Sequence, residues 1–154
     1  YPNQGGIKML SYEGLFFDDD TIKLIKSLET KTLETINDEI HCTFKYHPND
    51  NEIFNELVGK TYEIYLVGYG NDDQNSGFEI QIPDELQRYY LNDDYNKLKI
   101  PHITASLAIN AKANNTKNLK FKKLKNPVKI IGKFGFWIKE KDKEYLSFKP
   151  YNIN

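Results

Sequence analysis

A chain of 154 residues and 18.0 kDa has the length of one domain and can bury a substantial core. With 39% hydrophobic and 28% charged residues it is not a disordered polymer, and no apolar run approaches the roughly 18 residues of a membrane-spanning helix. A single cysteine can form neither an internal disulfide nor a cysteine-rich zinc site, which excludes a stapled secreted scaffold.

The net charge of −1 balances two unlike halves. Residues 1–100 hold nine Lys or Arg against nineteen Asp or Glu, and residues 101–154 hold twelve against three. One reading has the halves attract each other while solvating their own outer faces. The other reading turns part of the basic half toward an anionic ligand; its densest run, Lys117, Lys120, Lys122, Lys123 and Lys125, is spaced like an exposed loop or edge strand.

The chain opens Tyr1-Pro2-Asn3-Gln4-Gly5-Gly6, without an initiator Met, an apolar signal core or a small-residue cleavage site, so residues 1–9 read as an irregular, trimmed start. Tyr12 to Phe17 is expected to be a strand, ended by Asp18-Asp19-Asp20. Those aspartates suit a helix N-terminus through capping and through charge at the positive end of the helix dipole. Ile22, Leu24, Ile25 and Leu28 recur at helical spacing, which predicts a helix over about residues 20–30 packed on a sheet. Ile40 to Tyr46 reads as a strand stopped by the turn His47-Pro48-Asn49-Asp50. A short helix carrying Ile53, Phe54 and Leu57 is expected before Gly59.

Tyr62 to Tyr69 is strand-like, and Phe78 to Ile82 is its returning partner across a long polar tip at 70–77 that could act as a lid. Pro83-Asp84-Glu85-Leu86 starts a helical turn or two. Ile100 to Ile109 is another strand, and Val128 to Ile138 with Tyr145 to Phe148 form a closing hairpin. The fold class is α+β, one domain over 1–154 with mostly antiparallel strands.

Two of the three histidines stand in near-identical contexts, Ile40-His41-Cys42-Thr43-Phe44 and Pro101-His102-Ile103-Thr104-Ala105. Side chains alternate along a strand, so His41 and Thr43 share a face, as do His102 and Thr104. The opposite faces carry Cys42, Phe44 and Tyr46, and Ile103, Ala105 and Leu107. Placed side by side, such strands bring two imidazoles and two hydroxyls into one cleft.

That set suits a phosphodiester. One neutral imidazole can take a proton from water or a ribose hydroxyl while the other, as imidazolium, protonates the departing oxygen. The threonines can donate to the non-bridging oxygens where charge accumulates, and no metal or cofactor is required. Lys45 and Ser106 follow on the same faces and could extend the phosphate contact. Tyr12, Phe16 and Tyr46, with Tyr69 and Tyr89, are candidates for stacking a base, although core packing is the competing role. His47 reads as an incidental loop histidine and Cys42 as a core residue. The competing account of the motifs is two structural histidines on half-exposed strands.

His41-Cys42-Thr43-Phe44 and His102-Ile103-Thr104-Ala105-Ser106 together resemble the 2H phosphoesterase superfamily, whose members carry two His-hydrophobic-Thr/Ser-hydrophobic motifs. The order of elements over roughly residues 10–148 fits as well. The resemblance implies a bilobal fold of two pseudo-symmetric, mostly antiparallel sheets with helices outside and a central cleft. It also implies metal-independent cleavage or transfer at 2′,3′-cyclic, 2′–5′ or 3′–5′ phosphodiester bonds of RNA ends or small nucleotides. His41 and His102 would be the acid–base pair and Thr43 and Thr104 the phosphate binders; the motifs are too alike to say which histidine is which. An RNA or nucleotide substrate, a monomer and a cytoplasmic location are the matching expectations. Rival functions are a nuclease degrading cyclic oligonucleotide immune signals, an RNA- or nucleotide-binding module without turnover, and one domain of a larger RNA-repair protein.

Overall fold

The computed structural model describes residues 8–36, 39–91 and 100–152. Its elements are β1 (Lys8–Phe16), α1 (Asp19–Ser27), β2 (Thr35–Ile36), β3 (His41–Tyr46), β4 (Thr61–Asn71), β5 (Asn75–Gln81), α2 (Asp84–Leu91), β6 (His102–Leu107), β7 (Lys122–Glu140) and β8 (Lys143–Ser147). The fold is α+β. The strands form one eight-stranded sheet in the order β2-β6-β5-β4-β7-β1-β3, with β8 paired to β7, and every strand pair is antiparallel. Leu15, Phe44, Ile64, Leu66, Phe78, Ile103, Phe134 and Phe136 are each fully buried and form the centre of the core. No helix among the described residues is long and apolar enough to cross a membrane.

Helix α1 begins as the aspartates predict. Asp18 sits in extended backbone and its side chain accepts from the Thr21 N–H at 2.8 Å, while Asp19 and Asp20 occupy the first turn. Ile25 is buried and Ile22 and Leu28 pack on the core, but Leu24, at the edge of the stripe, is 41% exposed. The first strand starts earlier than Tyr12, since Lys8 and Met9 already pair with Glu140 and Lys139. The expected helix through Ile53, Phe54 and Leu57 is instead a single 3-10 turn at Asp50–Glu52 followed by tight turns. The Asn49 backbone and the Glu52 side chain close that turn at 3.0 Å, and too few residues remain before Gly59 (φ 81°) to propagate a helix.

The long tip at 70–77 is corrected most. Gly70 and Asn71 belong to β4 and Asn75 to Gly77 to β5, leaving only Asp72, Asp73 and Gln74 as the turn. Asp72 Oδ1 accepts from the Gln74 and Asn75 N–H groups at 2.8 and 2.7 Å, so a side chain closes a short hairpin turn. The closing hairpin is also longer than expected: β7 reaches back to Lys122 and β8 begins at Lys143. Lys122 and Lys123 pair with Tyr69 and Gly68, on a stretch of β7 where β1 has not yet begun to pair.

Two glycines decide how closely the motif strands are held. Gly14 of β1 lies opposite Thr43 of β3, and Gly77 of β5 lies opposite Thr104 of β6, each beside a register shift in the ladder. A Cβ at Gly14 would collide with the Cys42 carbonyl oxygen, and one at Gly77 with the Ile103 carbonyl oxygen. In both pairs the neighbouring backbone occupies the space a side chain would need.

Candidate active site

Strands β3 and β6 are not hydrogen-bonded neighbours, yet they pack against each other, because the curled sheet brings them together. The contact is intimate: the Cys42 sulfur meets the backbone of His102, and His102 stands near enough to His41 to disfavour its protonation. Cys42, Phe44, Ile103 and Ala105 are all fully buried on the core side. Phe44 meets both Tyr90 and Phe134 edge-on, at 5.3 and 5.5 Å between ring centres. The expected alternation holds over His41–Phe44 and His102–Ala105, with His41, Thr43, His102 and Thr104 on the other face. It then breaks at a bulge in each ladder: Tyr46 pairs with Tyr12 on the His41 side, while Lys45 and Ser106 turn to the opposite face, against Glu13 and Ser76.

Both imidazoles are anchored in the same way. His41 Nδ1 donates to the carbonyl of Glu39, and His102 Nδ1 donates to the carbonyl of Ile100 at 2.7 Å, each acceptor two residues back along the chain. A carbonyl only accepts, so Nδ1 carries the hydrogen in both rings and Nε2 holds the lone pair of the neutral form. Burial pushes His41 down to about 4, with the Glu39 carbonyl opposing the shift and His102 adding to it. Burial also lowers His102 below the ordinary imidazole range; the Ile100 carbonyl opposes this and the Lys117 ammonium reinforces it. Lys117 is thus the member of the basic run that faces a motif histidine. It lies in a 3-10 helix, Ala113–Asn118, packed on β6.

The threonines are alike in burial, each 7% exposed, and unlike in their bonds. Thr104 Oγ1 is 2.7 Å from Thr116 Oγ1 and 3.4 Å from the Ala113 carbonyl. The other proposed phosphate contacts sit deeper. Ser106 is fully buried, donates to Glu29 Oε2 at 2.6 Å and accepts from the Leu33 N–H at 3.0 Å. Lys45 is 1% exposed, with Nζ 3.6 Å from Glu52 and 5.8 Å from the centre of the Phe54 ring. Its cross-strand neighbour is Glu13, a fully buried carboxyl whose Oε1 accepts from the Phe54 N–H at 3.0 Å. Burial lifts Glu13 to about 8.

Tyr12 stacks on His41 with 4.5 Å between ring centres, and Phe16 lies 5.7 Å from the same ring. Tyr46 meets Tyr12 edge-on at 5.9 Å. Tyr12 is also near-parallel to Trp137 at 6.0 Å, a residue that sequence reasoning did not connect with the motifs. The signal was faint: Trp137 stands between buried Phe136 and Ile138 in what reads only as a core strand. Tyr69 and Tyr89 are placed elsewhere, Tyr69 against Phe78 and hydrogen-bonded to Ser76 at 2.7 Å, Tyr89 against Phe54 and Arg88. His47 occupies a turn with φ 45°, as the loop reading expected.

Among the described residues no group of three or more His, Cys, Asp or Glu side chains is arranged to hold a metal ion. No protein-family model matches the chain, and no curated protein is significantly similar to it.

Proposed function

We propose that this chain is a metal-independent phosphodiesterase of the two-histidine type, acting on 2′,3′-cyclic, 2′–5′ or 3′–5′ phosphodiester bonds of RNA ends or small nucleotides. One observation carries the reading: two imidazoles on strands that pack together, each with Nδ1 tied to the carbonyl two residues back, so that both Nε2 atoms are available for proton transfer. A purely structural histidine gains nothing from being matched in tautomer by a second one on the adjoining strand.

In this reading one Nε2 accepts the proton of the attacking water or ribose hydroxyl. The other imidazole, protonated as the phosphate anion docks, delivers its proton to the leaving oxygen. Thr43 and Thr104 donate to the non-bridging oxygens, and Lys117 adds positive charge beside His102. The aromatic group around Tyr12 lies on the His41 side and offers a face for a base. The bilobal arrangement is part of the same proposal. Strand, helix and motif strand occur twice, as β1-α1-β3 and β5-α2-β6, disposed on either side of the central β4–β7 pair, and each half sets a glycine opposite its motif threonine.

The test is turnover of 2′,3′-cyclic nucleotides, 2′–5′ and 3′–5′ dinucleotides and cyclic oligonucleotides with a metal chelator present. His41→Ala and His102→Ala are run alongside. Cleavage that survives chelation and drops by two or more orders of magnitude in each folded variant is the expected result. The preferred substrate separates RNA-end processing from destruction of cyclic oligonucleotide signals. No cleavage, with nucleotide or RNA bound tightly, would replace the enzyme by a binding module.

A further inference from the structure

His41 heads a row of side chains that crosses the sheet. It pairs with Phe16, Phe16 pairs with Lys133 and Lys133 with Thr61, so the four stand on one face of β3, β1, β7 and β4. The Phe16 ring lies 5.7 Å from that of His41 and 6.4 Å from that of Phe148. Lys133 Nζ stands over the Phe148 ring, 4.5 Å from its centre. Phe16, Phe148 and Lys133 also line a groove with a volume of about 600 Å³. Seven large hydrophobic side chains are exposed among the described residues, and three of them, Leu24, Ile131 and Leu146, meet in this groove. Single exposed apolar residues are ordinary, but a cluster of them marks a surface with something to bind. The lining is basic as well as apolar. Lys129 and Lys133 face one acid, Asp18, whose carboxylate accepts from the Thr21 N–H at 2.8 Å. Lys129 is 4.0 Å from Glu63, whereas Lys133 is exposed and, among the described residues, has no carboxylate within ion-pair distance. The surrounding stretch, residues 101–139, holds nine lysines and no Asp or Glu. Lysines also guard open strand edges, and β7 pairs with β1 only from Lys133 onward, but guarding an edge needs no apolar groove beside it.

We propose that this groove takes a further nucleotide of the substrate, its base against Phe148 and Ile131 and its phosphate on Lys133, so that the protein prefers oligonucleotides to mononucleotides. This rests on the phosphodiesterase reading for the chemistry at the histidines, while the ligand class rests on the groove's own lining. A base presents an apolar face that packs on rings and aliphatic side chains, and the phosphate attached to it carries a full negative charge. An apolar floor edged by an unpaired ammonium matches both parts at once. Phe16 is the shared wall: it touches His41 and lines the groove, so a strand whose scissile phosphate sits at His41 passes into the groove along one face of the sheet. The aromatic group around Tyr12 then holds the nucleotide at the point of cleavage, and the groove holds its neighbour.

The experiment compares 2′,3′-cyclic AMP with 2′–5′ and 3′–5′ adenosine di- and tetranucleotides, by NMR-detected binding and by cleavage with a chelator present. One tetranucleotide series should bind about tenfold more tightly than the mononucleotide, and only the longer ligands should move the amide signals of Ile131 and Lys133. Lys133→Gln should weaken tetranucleotide binding by about tenfold and reduce the salt slope of its log affinity by about 0.7, the value for one phosphate contact on a single strand. Ile131→Glu, which sets a carboxylate in the groove, should weaken it at least as much. Both side chains are exposed, so melting curves should confirm that each variant folds. In both, the loss should be larger for the tetranucleotide than for cyclic AMP. Tetranucleotide binding that depends on Lys133 and Ile131 but leads to no cleavage would leave the inference standing and remove the enzyme reading. Chelator-resistant cleavage with no preference for length, or indifferent to both variants, would overturn the inference and keep the enzyme. Groove signals that ignore the tetranucleotide and respond to a polyglutamate peptide would overturn it in favour of a protein partner. A protein that neither binds nor cleaves any of these nucleotides would lose both.

Discussion

Gly77 lies directly across the β5–β6 ladder from Thr104, where its missing side chain lets the two backbones approach until a Cβ would strike the Ile103 carbonyl oxygen. Gly14 has the same relation to Thr43 and the Cys42 carbonyl. An alanine at either position must push a motif strand outward, since the obstacle is backbone and cannot rotate away. Overpacking of this kind typically costs about 1–3 kcal/mol, so each variant should melt several degrees lower. Gly77→Ala should also lose more activity than Gly14→Ala, because it presses on Thr116 as well. Melting curves and steady-state kinetics check both statements, and equal kinetic losses would count against a special role for the Gly77 side.

The pH dependence of kcat/KM should be displaced to the acid side. The free protein holds His41 at about 4 and His102 below the ordinary range near 6.5. The proposed mechanism needs one ring neutral and one protonated, so kcat/KM should peak between the two macroscopic values, below pH 6.5, and decline toward neutrality. Binding of an anionic phosphate favours imidazolium, so the kcat optimum should lie higher than that of kcat/KM. Lys117→Ala, removing a cation beside His102, should move the descending limb to higher pH. An optimum of kcat/KM above pH 7 would be incompatible with these buried rings.

Glu13 should make the fold weaken as pH rises. Its carboxyl titrates at about 8 in the folded protein against 4.5 as its reference value. Between those values the folded state keeps a proton that the unfolded state has released, so stability falls with increasing pH across the window. His41 acts in the opposite sense below 6.5, where the unfolded ring takes up a proton that the buried one refuses. From pH 6.5 to 8 Glu13 acts without that opposition, and the loss should reach about 2 kcal/mol. Denaturant titrations at several pH values should show this slope in the wild type and a flat response in Glu13→Gln; a flat wild-type response would show that the carboxyl is ionised throughout.

Tyr12 should act on His41 through its ring and not through its hydroxyl. The hydroxyl lies 3.5 Å from a Nδ1 that already donates to the Glu39 carbonyl, whereas the rings stack at 4.5 Å. Tyr12→Phe should stay within about threefold of wild-type activity, while Tyr12→Ala, by admitting water, should raise the NMR titration midpoint of His41 toward 6.5. A large loss in the Phe variant would assign the hydroxyl a direct part in catalysis.

The strands carrying the two motifs, the capped first helix and the α+β class were legible in the residues themselves, because alternation, helical spacing and capping are local properties of a chain. His41, Thr43, His102 and Thr104 were legible for the same reason, each pair two positions apart on one strand. What local pattern could not supply was partnership. Lys45 and Ser106 were expected to continue the alternation, yet a bulge in each ladder turns them to the other face, where Glu52 and Glu29 take them as partners. Asn75 sits in the tip that read as polar loop and Thr116 in a stretch with no pattern of its own, and only the packing of the 3-10 helix on β6 and β5 brings them to Thr104.

The covalent order of the chain was thus enough to say which side chains share a face of a strand, since two-residue periodicity is a property of the extended backbone itself. Tertiary structure alone decided that β3 and β6, separated by four strands in the order of the sheet, curl round to meet. It also decided how burial lowers each imidazole and which side chains meet Thr104. Those outcomes depend on desolvation and on contacts between segments apart in sequence, such as Asn75 with Thr116, which exist only once the core has closed.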